Sequence, residues 1–215
     1  RTFGYHRVEI LAALTNGVML FGIAIYIVIE TIARIRAPVE VASGLMFLVA
    51  CAGLVVNIIC MRILAGGHDH SLNVKGAYLE VWSDMISSVA VIAAAIIIYF
   101  TNWYWVDIVL ALGIGVWMLP RTWRLMKQSI HILLEGVPEN INIEQIEQAL
   151  VQVAGVQAIH DLHVWEISSN KISLTAHAVA NLTERSYEGV LSDLLRVLQT
   201  EFNIDHATIQ IEPHD

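Results

Sequence analysis

Charged side chains are scarce in this sequence. Asp, Glu, Lys and Arg make up 15% of its 215 residues, whereas an ordinary soluble domain is about 25% charged. Residues with hydrophobic side chains make up 56% of the chain. The shortage of charge excludes a wholly water-soluble protein and predicts that much of the chain lies in a membrane.

Cysteine is also scarce, and the first residues do not have the pattern of an amino-terminal leader. Cys51 and Cys60, the two cysteines, lie in one apolar run. They are about 13 Å apart along a helix, which is too far for a disulfide, so we expect both to act as apolar packing residues. The first residues, Arg1 to Arg7, include no initiating Met and lack the apolar segment of a signal peptide. We therefore expect the sequence to be a piece of a longer protein.

Motifs that would indicate an enzyme or a nucleic-acid-binding protein are missing as well. The sequence contains no nucleophile elbow, phosphate-binding loop or zinc-protease motif, each of which has a recognisable spacing. We expect no enzymatic activity. The net charge of −8 disfavours nucleic acid as a partner.

The sequence does have four long apolar runs. A helix needs roughly 20 apolar residues to cross a bilayer, and the runs predict spans at about residues 8–35, 41–64, 72–100 and 105–126. Lys and Arg gather on one side if the spans alternate, which places the carboxyl-terminal part in the cytoplasm. We expect residues 1–127 to form an all-α transmembrane domain, followed by a linker at 128–136.

Residues 137–215 have the pattern of a small α+β domain. Periodicity predicts the order αββαβ, with helices at Ile143–Val153 and Ser186–Phe202 and strands at Ala158–Ile167, Lys171–Ala180 and His206–Glu212. The helices should cover one face of the sheet, as in a ferredoxin-like or metallochaperone-like domain. From residue 128 to the end there are thirteen acidic and three basic residues, a net charge of −10.

Two carboxylates at the head of the third run are the strongest candidate site. Glu80 and Asp84 are four residues apart, so a helix places them on one face, one turn apart. Carboxylates within a membrane are costly and generally bind something, and a divalent cation fits them. The alternative is that both lie at the interface, just outside the hydrocarbon.

Histidines supply the other candidates. Strand alternation places His177, His206 and Glu212 on the sheet face away from the apolar side chains, near His160, and imidazole with carboxylate suits Zn²⁺. The alternative is a solvated surface. His163 and Trp165 have the opposite phase, so we expect them to pack in the interior.

Two further places carry weaker signals. His68 and His70 in the loop between the second and third spans could capture a cation, although a short His tract is equally typical of a solvated loop. We expect Asp107 to cap the fourth helix rather than to take part in transport.

Four segments carry a family resemblance. Residues 2–17 (TFGYHRVEILAALTNG), 76–84 (GAYLEVWSD), 160–165 (HDLHVW) and 207–212 (ATIQIE) resemble the cation diffusion facilitator family, and most closely its cobalt–zinc–cadmium resistance type. The resemblance covers essentially the whole chain. It implies a proton-coupled exporter of divalent metal that forms homodimers, with about six spanning helices and a cytosolic αββαβ domain.

The resemblance also implies what is missing and what differs. Residues 2–17 resemble the start of the family's third helix, so the first two helices are absent, and with them the second half of the transport site. Glu80 stands where many zinc-transporting members have His, and the harder carboxylate could widen selectivity towards Co²⁺ or Cd²⁺. His160, His177, His206 and Glu212 match positions that bind metal in some relatives, while Gln210 stands where some have His.

The function that follows is efflux of Zn²⁺ or a similar divalent ion from the cytoplasm in exchange for protons. The metal is the substrate and a candidate regulator, and no prosthetic group is expected. The chain would lie in a bacterial inner membrane as a homodimer. The alternative is a membrane-tethered metal sensor or buffer that transports nothing, which would account for the histidines but not for Glu80 and Asp84 within a span.

Overall fold

Four long helices make up the first part of the protein. The computed structural model describes residues 4–36, 43–65, 72–168, 171–183 and 185–213. The helices are α1 (His6–Arg36), α2 (Ser43–Leu64), α3 (Leu72–Thr101) and α4 (Trp105–Leu133). These bounds match the four predicted spans, except that α4 continues for two further turns. His68 and His70 lie outside the described residues.

The surfaces of these helices need an apolar solvent. Each helix has an 18-residue window with a mean hydropathy between 1.3 and 2.4, and no more than 17% of any such window is buried within the protein. Leu48, Ile63 and Trp117 are exposed by 68%, 74% and 69%. Burying apolar area stabilises by roughly 25 cal/mol per Å², so a bilayer is the environment in which these helices are stable.

Small residues allow the helices to approach one another. A Cβ on Gly115 of α4 would lie 2.8 Å from the Val28 side chain of α1, so a larger residue there would force Val28 to shift. Gly53 of α2 lies against Ser88 of α3, and Asn57 donates a hydrogen bond to the Ser88 hydroxyl over 3.5 Å. Close approach at small residues and hydrogen bonds between helices are the usual means of packing spans in lipid.

The end of α4 occupies most of the predicted linker, because residues 128–133 are helical. Glu135 then has a φ of +60°, and the amide of Gly136 donates to the carbonyl of His131, which ends the helix in a left-handed turn. Glu135 also forms an ion pair with Arg7, whose Nη2 lies 2.6 Å from Glu135 Oε1. The chain divides into two compact units, of which one is Met19–Thr122 and the other combines the residues before and after that segment. The predicted domain bounds stay a prediction.

The second part of the protein has the predicted order αββαβ. Its elements are α5 (Ile143–Val151), β1 (Val156–Ser168), β2 (Lys171–Ala180), α6 (Tyr187–Phe202) and β3 (His206–Pro213). The side chains of Asn142 and Ser186 accept hydrogen bonds from the first free amides of α5 and α6, as amino-terminal caps do. The strand order is β1-β2-β3, with β1 antiparallel and β3 parallel to β2.

One face of this sheet carries the core. Leu174, Ala176 and Ala178 of β2 are at most 1% exposed, and they belong to one cluster with the apolar side chains of α5 and α6. The members from the two helices are Ile146, Leu150, Val190, Leu194 and Leu198. The opposite face of the sheet therefore remains available for polar side chains.

The prediction that His163 packs in the interior is wrong, because β1 contains an irregularity. His160 lies opposite His177, whereas His163 lies opposite Thr175, so β1 takes three steps where β2 takes two. Asp161 is the extra residue, with a φ of +48°. Such a bulge reverses the phase of the residues after it. His163 is consequently exposed and Trp165 half-buried.

Candidate metal sites

The membrane site is built on the first half of α3. Glu80 and Asp84 lie one turn apart on the helix, as predicted, and their side chains are 57% and 60% exposed. Ser88, one turn further, donates to the Asp84 carbonyl at 2.9 Å and accepts from Asn57 of α2. A polar line therefore runs along α3 from Glu80 through Asp84 to Ser88, where it meets Asn57 of α2.

Arg121 of α4 completes this site, and the sequence interpretation did not assign it there. Its guanidinium Nη2 lies 2.7 Å from Glu80 Oε1, and Nη1 lies 3.8 Å from Asp84 Oδ1. The contact could have been predicted by counting residues on either side of the turn that joins α3 to α4. The turn between α3 and α4 contains Trp103, and Asp84 precedes this residue by 19 positions while Arg121 follows it by 18. Residues at equal distances from a tight turn lie side by side in antiparallel helices.

The second candidate site lies on the open face of the cytosolic sheet. His160 of β1, His177 of β2 and Glu212 of β3 meet there. Glu212 Oε2 lies 3.1 Å from His160 Nε2, and Glu212 Oε1 lies 2.8 Å from His177 Nδ1. The two rings are 5.1 Å apart between centroids. Three residues that are distant in the sequence thus lie within reach of one small ion.

The carboxylate of Glu212 is held ionised by its neighbours. Hydrogen bonds from His177, and then from His160, lower the pKa of Glu212 below its ordinary value of 4.5. Gln210 donates to the same carboxylate at 3.1 Å. A deprotonated oxygen is the form that binds a metal, so this group is ready as a ligand at neutral pH.

Asp161 also lies at this site, although the sequence interpretation passed over it. Its carboxylate is 3.5 Å from His160 Nδ1. Asp161, His160 and His177 each place one ligand atom within 4.8 Å of the others. The bulge explains the omission, because regular alternation would direct the side chain after His160 to the other face of the sheet.

His206 does not join this cluster. It lies opposite Ser173, whereas His177 lies opposite Gln210, so four residues of strand, about 13 Å, separate it from His177. Its main-chain carbonyl accepts a hydrogen bond from Ser173. The assignment of His206 as a ligand stays a prediction, and this arrangement does not bring it to the other three.

Asp107 lies in the first turn of α4, where the helix dipole stabilises a negative charge. Its carboxylate, with a side chain that is 12% exposed, lies 3.3 Å from Arg34 Nη1, and Arg34 also lies 3.3 Å from Glu30. This ion pair joins α1 to α4. The arrangement favours a structural role for Asp107.

Comparison with family models matches the whole of this architecture. The cation efflux transmembrane domain matches residues 1–134, and the cation efflux protein cytoplasmic domain matches residues 138–214.

Three curated relatives and one solved structure are similar to the chain. The metal cation efflux system protein CzcD of Cupriavidus metallidurans is 51% identical over 99% of this chain and 67% of its own length. The cadmium, cobalt and zinc/H(+)-K(+) antiporter of Bacillus subtilis is 42% identical over 99% and 69%. The zinc transporter ZitB of Escherichia coli is 36% identical over 98% and 67%. The metal-bound carboxyl-terminal domain of the CzcD transporter is 38% identical, covers 34% of this chain and 99% of its own, and has a TM-score of 0.32.

Proposed function

We propose that this chain, which belongs to the cation efflux family, binds a divalent metal ion at Glu80 and Asp84 during its export from the cytoplasm. The observation that carries the proposal is the pair of carboxylates one turn apart on α3, in the first turns of the segment Glu80–Thr101, which is long and apolar enough to span a membrane. Carboxylates are retained in such a place when they have a partner of opposite charge. The role that we propose for the protein is that of a transporter and not of an enzyme.

The ligand chemistry supports a first-row or similar divalent ion. Zn²⁺ is usually held by four ligands in a tetrahedron, and the two carboxylates would supply two of them. Oxygen ligands are harder than imidazole and discriminate less strictly for zinc. The relatives are named for zinc, cobalt and cadmium, and we propose the same group of ions as substrates, with Zn²⁺ first.

Proton exchange would release the ion on the far side. A carboxylate must lose its proton to bind metal, so protons and metal compete for the same oxygens. When the site faces a more acidic exterior, protonation weakens metal binding. This linkage at one site would couple efflux to inward proton movement, as the name of the Bacillus antiporter implies for that protein.

We further propose that the cytosolic site is regulatory and that the chain acts as a homodimer. His160, His177 and Glu212 would bind cytosolic metal on the open sheet face, which the helices do not cover. Asp161 faces Nδ1 of His160 whereas Glu212 faces Nε2 of the same ring, so Asp161 would be an alternative ligand to Glu212 and not an additional one. His206 would join only if the strands or a second copy brought it near. His68 and His70 stay a proposal for ion capture.

The decisive measurement is Zn²⁺ flux. The complete protein is reconstituted in liposomes with a fluorescent zinc indicator inside, and uptake is started by a pH gradient. Asp84→Asn removes one charge and keeps the side-chain shape, so we expect loss of gradient-driven uptake by at least roughly a hundredfold, since it removes a ligand. Glu30→Gln, a neutralised carboxylate on α1, is the matched control and should retain uptake.

Either of two outcomes contradicts the proposal. Wild-type flux through the Asp84→Asn protein would remove α3 from the transport path. Tight zinc binding without any flux in the wild-type protein would instead indicate the metal sensor or buffer.

A further inference from the structure

Arg121 contacts both carboxylates of the membrane site. It lies on α4, and its guanidinium uses separate nitrogens to reach Glu80 and Asp84 on α3, at 2.7 and 3.8 Å. A guanidinium fork is suited to holding two carboxylate oxygens at once. The structure therefore shows the acidic pair with a cation of the protein's own already in place.

We propose that Arg121 is a resident counter-ion, which occupies the carboxylates between transport cycles and which each arriving metal ion displaces. This inference rests on the proposed function of Glu80 and Asp84. It adds that the affinity of the membrane site is set by competition between a metal ion and a tethered arginine. Arg121 is then a residue that determines affinity and selectivity, and not a metal ligand.

The charges explain why displacement favours a divalent ion. Two carboxylates and one guanidinium leave a net charge of −1 at the site. A monovalent ion that displaces Arg121 only replaces one positive charge by another. The site then gains no electrostatic energy that could offset the cost of dehydrating the ion. A divalent ion brings the pair to neutrality, which matters where the surroundings have a low dielectric constant. Arg121 thus acts against monovalent cations, which are far more abundant in a cell.

A simpler role for Arg121 would be to reach towards the lipid headgroups, as long basic side chains often do. Arg124, one turn further along α4, is exposed and is placed for that role. The side chain of Arg121 is instead 36% exposed and is directed onto the α3 carboxylates. Arg124 therefore supplies a matched control, because it has the same charge on the same helix.

The test measures zinc affinity directly. The complete protein is placed in lipid nanodiscs with the cytosolic site removed by His160→Ala and His177→Ala, and Zn²⁺ binding is measured by competition with a chromophoric chelator. We expect Arg121→Gln to tighten zinc binding by roughly two- to fivefold, the range of a partly exposed ion pair. Arg124→Gln should leave it unchanged, and Asp84→Asn should abolish it.

Two further readouts distinguish competition from a structural role. Zinc binding to Arg121→Gln should weaken more steeply with added NaCl than binding to the wild type, because its carboxylates are no longer neutralised from within. In zinc transport the same variant should show a lower KM together with a lower maximal rate, since tighter binding slows release.

A chemical version of the test does not depend on Arg121→Gln folding. Arg121→Cys is made with Cys51→Ala and Cys60→Ala, and the purified protein is modified with a positively charged or a neutral thiosulfonate of similar size. The positively charged adduct should bind zinc more weakly than the neutral one.

The outcomes separate the two proposals. Unchanged or weaker zinc binding in Arg121→Gln, or equal binding by the two adducts, would overturn the counter-ion role while leaving Asp84 as a ligand. Retained zinc binding in Asp84→Asn would overturn the proposed membrane site itself.

Discussion

At the scale of single residues, Glu212 connects the parts of the cytosolic site. It accepts hydrogen bonds from histidines on two other strands and from Gln210 on its own strand. These donors favour the ionised carboxylate, which is why the pKa of Glu212 lies below 4.5. The charge of this residue therefore contributes to the stability of the domain, in addition to its proposed role as a metal ligand.

The sign of this contribution gives a pH-dependent prediction. Because the folded pKa of Glu212 lies below its unfolded value, its stabilisation is fully present above pH 4.5 and is lost as the pH falls through the lowered pKa. In metal-free buffer at pH 7, Glu212→Gln should lower the temperature at which the cytosolic domain unfolds, measured by calorimetry. The difference from the wild type should disappear in acid.

Glu201→Gln is the control for this experiment, because Glu201 is an exposed carboxylate of α6. It should unfold like the wild type across the same pH range. A Glu212→Gln deficit that persists unchanged in strong acid would show that packing rather than charge is responsible.

At the scale of secondary-structure elements, the bulge in β1 organises the open face of the sheet. The backbone of Asp161 lies in the left-handed region, which costs an ordinary residue about 1–2 kcal/mol. In return, residues on both sides of the bulge face the same way, so His160 and His163 share the open face. The position is tolerated by Asp and Gly and disfavoured by β-branched residues.

Two substitutions at this position separate backbone strain from loss of the carboxylate. Asp161→Val and Asp161→Gly both remove the carboxylate near His160. Asp161→Val should destabilise β1 by about 1–2 kcal/mol more than Asp161→Gly, because valine resists a positive φ. Hydrogen exchange of the β1 amides measures the difference. Equal protection in the two variants would mean that β1 folds without the bulge.

At the scale of the whole molecule, the charge distribution opposes association of the cytosolic domains. Residues 128–215 have a net charge of −10, and two like-charged copies repel. Each divalent ion bound at His160, His177 and Glu212 removes two negative charges from one copy. Metal would therefore draw together the cytosolic domains of a homodimer.

Distances between spin labels test this expectation. A label at Thr200→Cys on α6, in a protein with Cys51→Ala and Cys60→Ala, should report a shorter distance between copies when Zn²⁺ is added. The same protein with His160→Ala and His177→Ala should show no change. If about 0.5 M NaCl shortens the distance as much as Zn²⁺ does, charge screening alone accounts for the effect. If Zn²⁺ leaves the distance between labels unchanged in the protein that retains His160 and His177, regulation through this site is contradicted.

The sequence alone determined the elements of this protein. Spanning helices are set by the length of apolar runs against the thickness of a bilayer, and the strands and helices of the second part are set by local periodicity. For that reason the four spans, the αββαβ order and the pairing of Glu80 with Asp84 on one helix face were predictable. Each depends on residues that are close together in the chain.

Only the tertiary structure decided what meets across elements. Counting residues from the turn between α3 and α4 places Arg121 at the level of Glu80, but whether the two side chains meet depends on how the helices are rotated against each other. The exposure of His163 depends on one extra residue in β1, and the separation of His206 from His177 depends on the register of β3. Patterns along a chain count steps within one segment, whereas register and helix rotation relate two segments, so a shift of a single residue changes which side chains form a site.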